Sequence, residues 1–197
     1  MATGRLALVT GAAGGLGRGI ALGLARAGYR IAFTYRPGGT LPDRTFSQMT
    51  FADYRKMVDG NFGSAVFLAQ AVLPSMRERE FGRLIFFGMN GSHVALPSFG
   101  QSLYAASKAA VTSLARTLAV EEARHGITVN VVQPGDIQNK EADRAVAAHL
   151  PGKNPTGHRG SWEDLAEAVV FFAGDAAGFI NGQVLAVTGG LTEPYEG

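Results

Sequence analysis

A chain of 197 residues, 46% hydrophobic and 17% charged with mean hydropathy +0.08, can bury one substantial core and is too apolar for intrinsic disorder. The net charge of +2 has no basic block behind it, which excludes a nucleic-acid footprint, and the absence of Cys excludes disulfides, thiol nucleophiles and thiolate metal sites. No apolar run reaches the roughly 18 residues of a membrane span and the N terminus lacks a signal-peptide layout, so a single cytoplasmic domain over residues 1–197 is expected.

Leu6 to Val9 form a short apolar run, the stretch TGAAGGLGRG follows, and apolar residues recur at helical spacing from Ile20 until Gly28. This predicts strand, tight turn, helix. Arg30 to Tyr35 is a second strand, broken by Arg36-Pro37-Gly38-Gly39. Thr40 to Thr50 has loop composition, and Phe51 to Arg79 reads as a helix with Gly60, Gly63 and Pro74 as kink sites. Leu84 to Phe87 is a strand, and Met89 to Gln101 a loop. A long helix from Leu103 to Arg124 places Leu103, Ala110, Leu114 and Leu118 on one stripe and ends at Gly126. Ile127 to Val132 is a strand ended by Pro134-Gly135, and Asp136 to Gly160 reads as a mobile polar segment. Ser161-Trp162-Glu163-Asp164 has the spacing of a capping box before a helix to Phe172, and Val184 to Val187 is the last strand. Alternating strands and helices indicate an α/β domain with a mainly parallel sheet.

Two constellations carry chemistry. Gly11, Gly15 and Gly17 lie between a strand and a helix, where missing side chains let a pyrophosphate approach the backbone and a helix N-terminus supplies amide donors. Tyr104 and Lys108 stand four apart and share one helix face. A nearby ammonium favours the phenolate and should pull the Tyr pKa down, as proton exchange near neutral pH requires. The four His residues show no metal-ligand spacing, so no metal site is expected, and Gly91-Ser92-His93-Val94-Ala95 lacks the G-x-S-x-G pattern of a serine hydrolase.

TGAAGGLG at 10–17, Asn61 in VDGNFGSAVFLAQAVLP, Tyr104 and Lys108 in YAASKAA, NVVQPG at 130–135 and the closing NGQVLAVTGG together resemble the short-chain dehydrogenases/reductases. The resemblance implies a doubly wound Rossmann-type parallel sheet and hydride transfer between a nicotinamide cofactor and a carbonyl or alcohol. It implies Tyr104 as acid/base, Lys108 on the nicotinamide ribose, Asn61 on a water of the proton relay, and Leu16, Pro134, Gly135 and Ile137 beside the cofactor. Ser92 would hold the carbonyl oxygen, although it stands one residue closer to Tyr104 than the family's serine; Gly91 fills that position and Asn90 is a substitute donor. The nearest likeness is to 3-oxoacyl-carrier-protein reductases, with small ketones, sugars and polyols left open as substrates.

After Tyr35 the family continues with a helix, an acidic third strand, another helix and a fourth strand. None of these is present, so the sheet is shortened by a helix-strand-helix-strand segment, and either the first and fifth strands pair directly or the sheet is open at its middle. Thr34-Tyr35-Arg36 carries no carboxylate for a ribose hydroxyl, which favours NADP over NAD with Arg36 as the phosphate clamp. The edge strand and a small-residue face of Ala105, Ala109 and Ala119 suggest a homodimer or homotetramer. The alternative is an inactive cofactor-binding scaffold or assembly subunit.

Overall fold

A computed structural model of the protein describes residues 4–34, 44–137 and 142–191. The chain divides into two compact units, Met1–Gly39 with Pro134–Ala177 and Val187–Leu191, and Thr40–Gln133 with Gly178–Ala186 and Thr192–Gly197. The strands likewise fall in two sheets, so the direct pairing of the family's first and fifth strands, one of the two expected outcomes, is not seen among the described residues.

In the first unit β1 (Leu6–Thr10) pairs in parallel with β2 (Arg30–Thr34), Leu6 opposite Arg30 through Thr10 opposite Thr34. They are joined by α1 (Gly15–Arg26), which buries Gly19, Ile20 and Leu24. Its partner is α6 (Trp162–Ala173), and the seam between them explains two glycines. A Cβ on Gly19 would lie 2.7 Å from the Trp162 side chain, and one on Gly23 would lie 2.6 Å from that of Ala166. Neither contact leaves room for a methyl group. The capping box expected at Ser161 is present: the Asp164 amide donates to the Ser161 hydroxyl (3.2 Å) and the Ser161 amide to the Asp164 carboxylate (2.7 Å).

The stretch read as a mobile polar segment is tied down in its described parts, 136–137 and 142–160. Asp143 caps a short helix, α5 (Arg144–Ala147), by accepting from the Val146 amide. Arg144 bonds Asp164 and Glu167 on α6. Pro151 and His158 form a β-bridge, and the Asp136 carboxylate accepts the Lys153 amide. The tethers come from single polar residues far apart in sequence, so no periodicity announces them.

In the second unit β3 (Gly82–Phe87) pairs in parallel with β4 (Ile127–Pro134), and β5 (Val184–Val187) is the other neighbour of β4 and a sheet edge. Two asparagines fasten that edge. Asn130 donates to the Ile180 carbonyl and accepts the Gln183 amide; Asn181 accepts the Val129 amide and donates to the Ala119 carbonyl at 2.7 Å. The core gathers Ala69, Leu73, Ala115, Leu118, Ala119, Ile127, Val129 and Val131, with Met76, Leu84 and Leu114 packed at its margin.

The helix expected over Phe51 to Arg79 is α2 (Phe51–Val58) and α3 (Ser64–Glu78), separated by a π-turn at Asp59–Gly63. Pro74 lies inside α3 without ending it. The long helix α4 (Ser102–Glu122) buries Ser107, Val111, Ala115, Leu118 and Glu122 rather than a stripe led by Leu103 and Ala110, which are only half-buried. Apolar spacing missed this seam because two of its members are polar, Glu122 being accepted there by the bidentate grip of Arg77. That pairing holds the Glu122 carboxyl below its usual range.

Candidate active site

The glycine turn belongs to the first unit. Gly11 (φ +71°) and Gly15 (φ +54°) take left-handed conformations that favour glycine. A Cβ on Gly17 would lie 2.3 Å from the Gly11 carbonyl oxygen, so the third glycine is required for helix and turn to close on each other. Around Gly11 and Gly14 there is open space for a Cβ, no side chain caps the helix at Gly14, and the first turn of α1 holds no acidic residue. The result is a set of helix-end amides left to an anion, which fits the pyrophosphate of a dinucleotide. Leu16 is half-buried in this turn. Arg36 lies outside the described residues.

The turn after β4 in the same unit is compact. The Gly135 amide donates to the Val187 carbonyl (3.0 Å), and a Cβ on Gly135 would meet Thr188 at 2.7 Å. The Ile137 amide donates to the Gly135 carbonyl in a three-residue turn that buries Ile137 and leaves Pro134 half-buried.

The residues expected to handle the proton lie in the second unit. Tyr104 and Lys108 emerge from one face of α4, with the Lys108 ammonium 5.7 Å from the centre of the Tyr104 ring. Lys108 donates to the Phe87 carbonyl at the end of β3 (2.8 Å), which aims its stem. Among the described residues no protein group bonds the Tyr104 hydroxyl. Burial acts on both groups by disfavouring their charged forms: it pushes the Lys108 ammonium down to about 8 and the Tyr104 phenol up. The expected downward pull of Lys108 on Tyr104 is therefore reversed in the protein alone, because desolvation outweighs an ammonium set over the ring.

Asn61 occupies the π-turn between α2 and α3. Its side-chain amide donates to the Met57 carbonyl (3.0 Å), and the Ser64 hydroxyl donates to the backbone carbonyl of the neighbouring Gly60 (2.8 Å). Such π-turns recur at functional positions, and the sequence had offered only its two glycines as a sign of irregularity.

Ser92 departs from expectation. Thr112 gives its single hydroxyl proton to the Lys108 carbonyl (3.0 Å), so the 3.3 Å contact between the two hydroxyls is donated by Ser92. The Ser92 oxygen accepts from the Met89 amide (3.3 Å) and from the Gln133 side chain (2.9 Å). One donor and two lone pairs are thereby saturated, in a residue that is 5% exposed. Thr112 also lies eight residues beyond Tyr104, about 12 Å along the helix axis. Gly91, at the family's serine position, has φ +76°, and a Cβ there would meet Leu96 at 2.8 Å. A side chain at 91 is excluded, and Asn90, buried in the same loop, is the neighbouring polar candidate.

A family model described as enoyl-(acyl carrier protein) reductase matches residues 37–192. The chain belongs to the short-chain dehydrogenase/reductase family. It is 38% identical over 157 residues to the 3-oxoacyl-[acyl-carrier-protein] reductase FabG of Haemophilus influenzae, covering 78% of this chain and 64% of that one. It is 34% identical over 157 residues to FabG of Escherichia coli, covering 78% and 63%. The chain thus spans less than two thirds of the length of these curated relatives. Among solved structures, a gluconate 5-dehydrogenase from Burkholderia cenocepacia in complex with NADP and tartrate aligns at TM-score 0.83 and 26% identity, over 96% of each chain.

Proposed function

We propose that the protein is an NADP-dependent reductase or dehydrogenase of carbonyl and alcohol substrates, its residues acting as one dinucleotide-binding and catalytic domain. The observation that carries this reading is the pair of Tyr104, whose hydroxyl has no protein partner among the described residues, and Lys108, whose ammonium stands over the phenol ring. Gly11, Gly15, Leu16 and Gly17 would hold the cofactor's pyrophosphate, and Pro134, Gly135 and Ile137 its nicotinamide end. When bound, the reduced nicotinamide supplies a hydride to the carbonyl carbon.

The chain's own residues manage the proton. Tyr104 donates its hydroxyl proton to the carbonyl oxygen as negative charge develops there, and becomes a phenolate that solvent reprotonates. Lys108, steered by the Phe87 carbonyl, stabilises that phenolate in its charged form. Asn61 would hold a water of the return path. Asn90 takes the place expected of Ser92 as the donor that fixes the carbonyl oxygen, since the Ser92 hydroxyl is already saturated.

FabG-like relatives favour a 3-oxoacyl thioester as substrate, with small ketones next. The NADP in the gluconate 5-dehydrogenase complex supports the same cofactor here. A phosphate clamp at Arg36 would contribute about 1.5–3 kcal/mol, or roughly ten- to a hundredfold in preference over NAD. The exposed Phe67 on α3 and Val120 on α4 favour a homo-oligomer.

The decisive experiment follows NADPH oxidation with acetoacetyl thioester and a panel of small ketones, beside titrations of NADPH and NADH against wild type and Arg36→Ala. Turnover of a carbonyl with preferential NADPH binding is expected. Binding without turnover of any carbonyl would replace this reading with the scaffold alternative, and equal affinities would overturn the NADP assignment.

A further inference from the structure

The tether at Asp136 is not needed by the chemistry just described, yet it is buried and bonds on two sides. Asp136 is 4% exposed and follows directly on Pro134 and Gly135. One carboxylate oxygen, Oδ2, accepts the Lys153 amide (2.9 Å) and the Asn154 side-chain amide (3.4 Å). Its backbone carbonyl accepts the Gly160 amide (3.0 Å). Asn154 extends the tether: it donates to the His158 carbonyl (2.9 Å) and accepts the Thr156 amide (3.1 Å) and hydroxyl (2.5 Å). The Thr156 amide in turn donates to the Gly189 carbonyl, and a Cβ on Gly189 would lie 2.8 Å from Asn154. Three backbone segments of the first unit, 134–137, 151–160 and 188–190, therefore meet at two side chains.

The second oxygen, Oδ1, is buried and has no partner among the described residues. A buried acceptor left in this state weakens the fold, and stability alone would favour a residue without it. We propose that Asp136 is a positioning residue for cofactor binding: with Asn154 it locks the 151–160 loop onto the Pro134–Ile137 turn and so holds Pro134, Gly135 and Ile137 where the nicotinamide end is received. Gly160 fits the same role, since a Cβ there would press on Ile137 at 3.2 Å. This assignment rests on the cofactor reading above.

Because only Oδ2 is used, an amide can replace the carboxylate with its carbonyl oxygen in that place, whereas a methyl group cannot. The test therefore compares Asp136→Ala, Asp136→Asn and Asn154→Ala with wild type. It measures NADPH affinity by fluorescence titration, backbone hydrogen exchange at Lys153 and Gly160, and thermal stability. Asp136→Ala and Asn154→Ala should each weaken NADPH at least tenfold and speed exchange at Lys153. Asp136→Asn should stay within about threefold of wild type in affinity, even where its stability falls from burying the extra N–H group. Affinities unchanged in Asp136→Ala, or falling in all three variants in step with stability, would overturn the positioning role. Wild type that binds no NADPH would instead overturn the cofactor reading on which it rests.

Discussion

The glycine turn after β1 and the loop after β3 hold complementary parts of the proposed chemistry, and they obey different rules. In the turn, function lies in what is missing: Gly11, Gly15 and Gly17 leave amides accessible, and the limits on each are local in the chain. In the loop, function depends on which way a hydroxyl or amide points. Ser92 has the residue type the chemistry wants, but Thr112 and Gln133, 20 and 41 residues away, absorb its bonding capacity. Backbone-built sites can be recognised from a short motif; side-chain-built sites depend on partners that the motif does not contain.

The largest effect expected on the side-chain half comes from Tyr104→Phe. Turnover should fall at least ~10²-fold with NADPH affinity preserved, as for removal of a general acid. Full activity in this variant would break the proposed mechanism at its centre.

The contrast within the loop is sharpened by pairing Asn90→Ala with Ser92→Ala. Asn90→Ala should cost roughly 10²-fold in kcat, the scale for losing a donor to a developing oxyanion. Ser92→Ala should leave kcat within about threefold but lower stability by about 1–3 kcal/mol, because the Gln133 and Met89 donors lose their acceptor in a buried loop. A reversed pattern in kinetics and denaturant melts would restore Ser92 as the carbonyl holder.

On the backbone half, Gly17→Ala drives a methyl group into the Gly11 carbonyl, where neither partner is a flexible side-chain end. A loss of about 1–3 kcal/mol in thermal or urea unfolding is expected, with weaker NADPH binding. An unchanged melt would mean that the turn tolerates side chains and that its glycines are not there for closeness.

The most gradual effect concerns pH. Burial lowers Lys108 from its ordinary value near 10.5 to about 8, so the unfolded chain holds this proton more tightly than the folded one. The resulting penalty on folding is fully present below pH 8 and is relieved as pH rises from about 8 towards 10.5. Across that window the protein with Lys108 should gain stability relative to Lys108→Met, by at most roughly 3 kcal/mol. Both proteins carry Tyr104→Phe in this comparison, so that the phenol next to Lys108 does not titrate in the same window. A flat difference would show that Lys108 keeps its charge at little cost.

Local pattern was enough for the α/β alternation, the glycine turn, the Ser161–Asp164 capping box and the shared face of Tyr104 and Lys108, because each depends on residues within about one helical turn or one tight turn of each other. Set against the family it resembles, the sequence also lacks a helix-strand-helix-strand segment after Tyr35. Tertiary structure decided the division of the strands into two sheets, since which strands pair depends on what lies between them. It decided the sign of the Tyr104 shift, because desolvation depends on neighbours brought in from elsewhere in the chain. Asn130 and Asn181, which read as family signatures, proved to fasten the turn that leads into β5, and the polar stretch around Asp136 proved to be anchored. In each of these cases the partner is distant in sequence, and a hydrogen bond has no periodicity by which it could be foreseen.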